Sequence, residues 1–236
     1  GVTRQVDGVA RKLTVSDAKI TPKLVIYDPR LTLGLPPSLT ASTGINALAH
    51  CIEALYSITR SPLSTAAALG GVRIIASALP RCYAAGDDLE ARTRMLEGAF
   101  LAASALAHVT MALHHGLCHV LGGTAGVPHG IANSIILPHA IRFNLEATAP
   151  QLAPAAEVMG IALAGRRPED AVEEMAQRIY DLIGSMHLPQ RLRDVGVREA
   201  ELASLSQLAF ESRTVQSNPR PITSVAQIEE VLLAAW

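Results

Sequence analysis

From Pro36 onward the sequence is a succession of alanine- and leucine-rich segments divided by Pro, Gly and short polar clusters, almost empty of aromatic residues (3% of the chain). In a chain that is 49% hydrophobic, the core must then be filled by Ala, Leu, Ile and Val. Such side chains suit close-packed helices, whereas β-sandwiches draw on aromatic and β-branched residues. A mainly α protein is expected, as one large domain or two small ones at this length of 236 residues.

Punctuation divides the segments. Pro36-Pro37 starts a helix to about Ser57, and Ser61-Pro62 opens another ending near Leu79-Pro80. Asp87 with Glu90 has capping-box spacing for a helix through about Ala107. Further helices are expected at about 111–121, stopped by Gly122-Gly123, and at 128–143, 150–163, 168–185, 198–212 and 224–235, the last with Ser224 and Gln227 at capping-box spacing. The beginning differs. Val9–Val15 and Lys23–Tyr27 are β-like runs and read as two strands joined by a loop. A lone hairpin is marginal in water, so these strands are expected to belong to a larger sheet.

The net charge of −1 gives no electrostatic footprint for nucleic acid. Cys51, Cys82 and Cys118 are odd in number and widely spaced, which suits reduced thiols rather than a disulfide framework or a zinc knuckle. No signal peptide is recognisable, and the apolar run from Gly98 to Leu113 is too short for a membrane span. The expectation is a cytoplasmic protein with no membrane or nucleic-acid partner.

The chemistry-bearing residues are histidines. Asn46 and His50 are four apart and share one helix face, and His115 and His119 have the same spacing. His129 follows Pro128 near a helix start. Each is a metal ligand, a proton donor or a packed core residue, and spacing alone leaves these open. His108, His114, His139 and His187 have weaker claims. His114 points about 100° away from His115 on a helix, His139 lies in an apolar segment, and His187 sits at a helix end. Gly122-Gly123-Thr124-Ala125-Gly126 lacks the dinucleotide-binding spacing and reads as a helix stop. Cys118 reads as a buried thiol.

Taken in order, Tyr27-Asp28-Pro29-Arg30-Leu31-Thr32, Leu35-Pro36, Gly44–Ala54, the His115-to-His119 block, Pro128-His129-Gly130 and Asn218-Pro219-Arg220-Pro221 resemble the iron-containing (group III) alcohol dehydrogenase superfamily across nearly the whole chain. The resemblance implies the helical C-terminal domain of a dehydroquinate synthase-like fold over 29–236. It also implies a β-hairpin over 1–28 left from an N-terminal NAD(P)-binding domain, so that the chain is a piece of a longer protein. It places an iron or zinc ion on Asn46, His50, His115 and His129, and the cofactor near Lys12 and His119. Asn46 stands where the family has an Asp. A neutral amide carbonyl is a poorer ligand for a divalent ion than a carboxylate, which weakens metal binding.

That replacement, with Ala-Leu-Ala-His-Cys and His-His-x-Leu-Cys-His-x-Leu-Gly-Gly, is similar to the maleylacetate reductase branch, which acts in aromatic-compound degradation. Gly116 and Gly130–Asn133 depart from that branch, which has Lys at the first position and Ala-Glu-Thr-His at the second. The resemblance implies reduction of maleylacetate to 3-oxoadipate by a homodimer. In it, His115 or His50 would donate to the developing oxyanion, His119 would position the nicotinamide or donate a proton, and a protonated His would pair with a dicarboxylate substrate. The alternatives are a metal-dependent alcohol dehydrogenase for small alcohols and aldehydes, and a non-catalytic helical module for dimerisation or ligand binding.

Overall fold

The computed structural model describes residues 2–6, 9–13, 17–20 and 22–236, with side chains from residue 17 except 18. Nine helices form most of the described chain: α1 (Pro37–Tyr56), α2 (Pro62–Ala84), α3 (Leu89–Leu106), α4 (Leu113–Thr124), α5 (His129–Val158), α6 (Pro168–Ser185), α7 (Leu202–Phe210), α8 (Arg213–Gln216) and α9 (Val225–Ala234). The expectation of a mainly α protein holds.

The N-terminal hairpin differs from its expected form. Val9–Leu13 (β2) pairs antiparallel with Val2–Val6 (β1) rather than with Lys23–Tyr27. Residues 24–28 are irregular, and Leu24, Val25 and Ile26 are exposed at 78%, 56% and 81%. A strand needs a hydrogen-bonding neighbour, and none among the described residues lies beside this one. Strand-like composition at 23–27 does not supply a partner, and the segment is not a strand.

Several helix ends also differ. The cap of α3 is Asp88, not Asp87, and its carboxylate accepts from the Ala91 N–H at 2.9 Å. Helix α2 runs through Pro80 to Ala84, held by the buried Leu79 and Cys82. Helix α4 starts at Leu113 and passes through Gly122-Gly123 to Thr124. The separate helices expected at 128–143 and 150–163 are one helix, α5, which contains Pro138, Pro150 and Pro154. Burial on both sides of it outweighs the missing N–H groups, since packing supplies more than local propensity. The expected 198–212 helix is a 3-10 turn at Glu199–Glu201 followed by α7 and the short α8. For α9, Gln227 Oε1 accepts from the Ser224 N–H at 3.2 Å, as its spacing predicts.

Two apolar clusters share α5. Its residues Leu137, Ile141 and Leu152 join α1, α2 and α6, while Ala132, Ile135 and Ile136 join α4, α7 and α9. Helix α2 is long and apolar enough to cross a membrane by length and composition, but here it packs against both α1 and α3. The histidines lie on α1, α4 and the start of α5, at the seam between the two clusters.

Candidate active site

Asn46, His50 and Glu53 recur at intervals of four and three on α1, so one face of an otherwise apolar helix carries all three. Helix α4 presents His114, His115 and His119, and His129 is the first residue of α5, directly after Pro128. Close approach of the elements depends on glycine. A Cβ on Gly130 would lie 3.0–3.1 Å from Ser42 of α1, and one on Gly116 would lie 2.4 Å from Val215 Cγ2 of α8.

The four histidines singled out in the sequence come together. The His50 and His115 rings stack with centroids 4.0 Å apart, and those of His119 and His129 stack at 5.7 Å. His115 lies 6.5 Å from His119 and 6.1 Å from His129. Asn46 Oδ1, His50 Nδ1 and His115 Nε2 are buried with no hydrogen-bond partner among the described residues. Asn133 Oδ1, one turn beyond His129, is in the same state, while its Nδ2 donates to the His129 carbonyl at 2.7 Å. Unsatisfied buried polar atoms are costly, and their convergence marks a place where a ligand would supply the missing partners.

Sequence reasoning missed Glu53. It is fully buried, and its Oε1 accepts from the backbone N–H of Ala112 at 3.0 Å and of His114 at 3.2 Å. Oε2 accepts from the His115 N–H at 3.4 Å and makes a short contact with His115 Nδ1. The carboxylate thus sits on the N-terminus of α4, where free N–H groups and the helix dipole favour negative charge. The available signal was its place three residues after His50, on the polar face of α1. His114 is also more than its sequence context indicated: it is wholly buried, Nε2 lies 3.1 Å from the Asn133 carbonyl, and Nδ1 lies 3.2 Å from His115 Nδ1.

Burial, reinforced by neighbouring imidazoles, holds His50, His114 and His115 down to about 3, so all three are neutral near pH 7. Neither His50 nor His115 is therefore the protonated histidine expected to pair with a substrate carboxylate. Burial raises the Glu53 carboxyl, opposed by His114 and by the backbone N–H groups it accepts from. Cys51 is pushed up to about 12 by burial, which makes it inert as a nucleophile. His139 stands apart from the cluster and burial lowers it to about 4. His108 Nδ1 bonds the Ser104 carbonyl at 2.8 Å near the end of α3, and His187 adopts a left-handed backbone (φ 54°) after α6.

Glu53, His114 and His115 lie close enough to share a cation, with ligand atoms within 4.8 Å of one another. The Glu53 oxygens are already engaged by three backbone N–H groups and an imidazole, so this trio is a hydrogen-bonded support. The unsatisfied atoms of Asn46, His50 and His115 are the better fit for a divalent ion: neutral imidazoles and an amide oxygen, with a carboxylate behind one imidazole.

A family model described as "Fe-containing alcohol dehydrogenase family, C-terminal" matches residues 40–236. The chain belongs to this family. It is 41% identical to maleylacetate reductase of Pseudomonas knackmussii over 211 residues, 89% of this chain and 56% of that protein. It is 37% identical to 1,3-propanediol dehydrogenase of Klebsiella pneumoniae over 209 residues, 89% of this chain and 54% of that protein. The crystal structure of maleylacetate reductase from Agrobacterium tumefaciens superposes with a TM-score of 0.84 at 34% identity, over all of this chain and 62% of that one. These relatives are oxidoreductases, and the chain spans a little over half their length. Within this family the match falls on the C-terminal part, as the resemblance implied. Lys12, expected near the cofactor, lies on β2, which runs beside α4. Its side chain falls outside the described residues.

Proposed function

We propose that this chain is the helical catalytic portion, over 29–236, of an NAD(P)H-dependent oxidoreductase that reduces maleylacetate to 3-oxoadipate. Residues 1–28 would be the end of its nucleotide-binding domain, and the whole protein a cytoplasmic homodimer. The observation that carries the substrate assignment is Asn46. Its uncharged Oδ1 lies buried where the sequence pattern places the family's acidic ligand, so the donor set carries no negative charge. That lowers the affinity for a divalent ion and favours chemistry in which imidazoles bear the load.

Bound nicotinamide would supply hydride to one end of the substrate's carbon–carbon double bond. Negative charge then develops on the conjugated ketone oxygen as an enolate, and a proton at the other carbon completes the reaction. Hydrogen-bond donors already in place stabilise such an oxyanion without reorganisation. His50, neutral and stacked on His115, can present a ring N–H to that oxygen. His119, stacked on His129, would deliver the proton or orient the cofactor. A substrate dicarboxylate would be held by groups other than His50 and His115. An iron or zinc ion held by Asn46, His50, His115 and His129 would add Lewis-acid polarisation of the carbonyl.

The test is NADH oxidation by the full-length protein with maleylacetate and with simple aldehydes, before and after treatment with a chelator. Preference for maleylacetate that survives chelation supports the reading. Chelator-sensitive reduction of small aldehydes, with none of maleylacetate, overturns it. That outcome would establish the second reading, a metal-dependent alcohol dehydrogenase, which the convergence of unsatisfied ligand-type atoms favours.

A further inference from the structure

The hydrogen-bond chain behind His115 fixes which of its nitrogens carries the proton. It starts at a group that can only accept, the main-chain carbonyl of Asn133. His114 Nε2 lies 3.1 Å from that oxygen and must donate to it, so the neutral His114 ring has a bare Nδ1. His114 Nδ1 faces His115 Nδ1 at 3.2 Å. Two bare nitrogens at that distance would repel, so His115 Nδ1 bears the hydrogen and shares it between His114 Nδ1 and Glu53 Oε2. Glu53 agrees from the other side. Its oxygens collect backbone N–H groups from Ala112, His114 and His115, as suits an acceptor at a helix N-terminus.

We propose that Glu53 is a positioning residue that, together with His114, locks His115 as the Nδ1–H tautomer and turns a bare Nε2 toward the site. His115 is then a lone-pair donor, a ligand for a cation or an acceptor for a proton. It is not the oxyanion donor that the family resemblance implied, and that task falls to His50 or His119. This sharpens the imidazole roles within the function proposed above, yet it concerns one ring's proton and stands whatever the substrate proves to be. The Nε2 left bare in this way is buried and has no hydrogen-bond partner among the described residues.

The experiment is proton–nitrogen correlation NMR on the full-length protein with ring-labelled histidine, His115 being assigned from the spectrum of a His115→Gln variant. The expected result is a protonated Nδ1 and a bare Nε2 for His115, with Nε2 protonated for His114. A protonated Nε2 on His115 overturns the proposal, whether or not the protein turns over any substrate. Glu53→Gln gives the second arm. The amide oxygen replaces Oε1 beneath the Ala112 and His114 N–H groups, which puts the amide NH2 against His115 Nδ1 and favours the other tautomer. In a variant that keeps the parent's circular dichroism spectrum, His115 Nδ1–H retains only His114 Nδ1 as acceptor, so a measurable share of the His115 proton should move to Nε2 and affinity for added zinc should fall about tenfold. A tautomer and zinc affinity that both stay as in the parent overturn the role of Glu53. If the variant does not fold, the parent's spectrum still decides the tautomer.

Discussion

His50 of α1 and His115 of α4 stack face to face, 4.0 Å between ring centroids and 19° between planes, across the seam where the two apolar clusters meet. Both rings are neutral near pH 7 because burial and their imidazole neighbours oppose a charge. Their unsatisfied nitrogens mark the centre of the site.

Acid should loosen the fold through these histidines. His50, His114 and His115 are held at about 3 and His139 at about 4, below the ordinary histidine value of 6.5. The unfolded chain binds more protons between those values, so stability is intact above about pH 6.5 and falls as pH drops toward 3, by up to about 1.4 kcal/mol per unit for each ring. The groups facing them include Glu53, His119, His129 and Arg142. Glu53 acts in the opposite sense, since burial raises its carboxyl, but it is one group against four. Thermal midpoints should decline steadily from pH 7 to pH 4. A flat profile would mean that these rings are already charged or solvated.

Restoring an acid at position 46 should separate metal affinity from stability. Asn46→Asp puts a carboxylate beside buried neutral imidazoles, so the metal-free protein should melt lower than the parent. Zinc or iron(II) should bind at least about tenfold more tightly, because the ligand is now anionic and binding is linked to folding. Calorimetric titration with and without metal checks both halves.

Gly116 should tolerate no side chain while Val215 stands opposite. A Cβ there would come within 2.4 Å of Val215 Cγ2 and 3.2 Å of its backbone nitrogen. Gly116→Ala should cost on the order of 1–3 kcal/mol in urea denaturation, the usual cost of overpacking. Val215→Ala should relieve part of it, and the double-mutant cycle measures how much.

Asn218 belongs to the late Asn-Pro-Arg-Pro motif, and its role is structural. Asn144 and Asn218 exchange side-chain amide hydrogen bonds at 3.0 and 2.6 Å, and Asn218 Nδ2 also donates to the Arg220 carbonyl. Arg220 in turn lies over the Phe143 ring at 4.2 Å and donates to the Phe143 carbonyl at 2.6 Å. Asn218→Ala leaves the buried Asn144 amide without its partner and should lower unfolding stability by about 1–3 kcal/mol. Activity per folded molecule should be unchanged.

The helices and the four histidines were legible because both rest on local signals: proline starts, glycine stops and the four-residue spacing of a helix face. Glu53 was not, because an acidic residue on a helix is ordinarily solvated, and only tertiary packing reveals that α4 begins on it. The continuity of α5 through its prolines is not legible in the sequence, since the burial that carries it through them comes from other helices. The partner of Val9–Leu13 is not legible in the sequence, because alternation identifies a strand but not its neighbour. The roles of His114 and His115 needed the Asn133 carbonyl, which lies 19 positions away from His114 in sequence.

The ribbon of Leu24, Val25 and Ile26 has a practical consequence. Its aliphatic side chains stand in water beside backbone groups that no ladder engages. Exposed apolar side chains in a row favour association, so material purified as these 236 residues alone should self-associate with rising concentration. A lysine at Val25 would be the simplest remedy for anyone preparing it for spectroscopy, because a charge interrupts the apolar run.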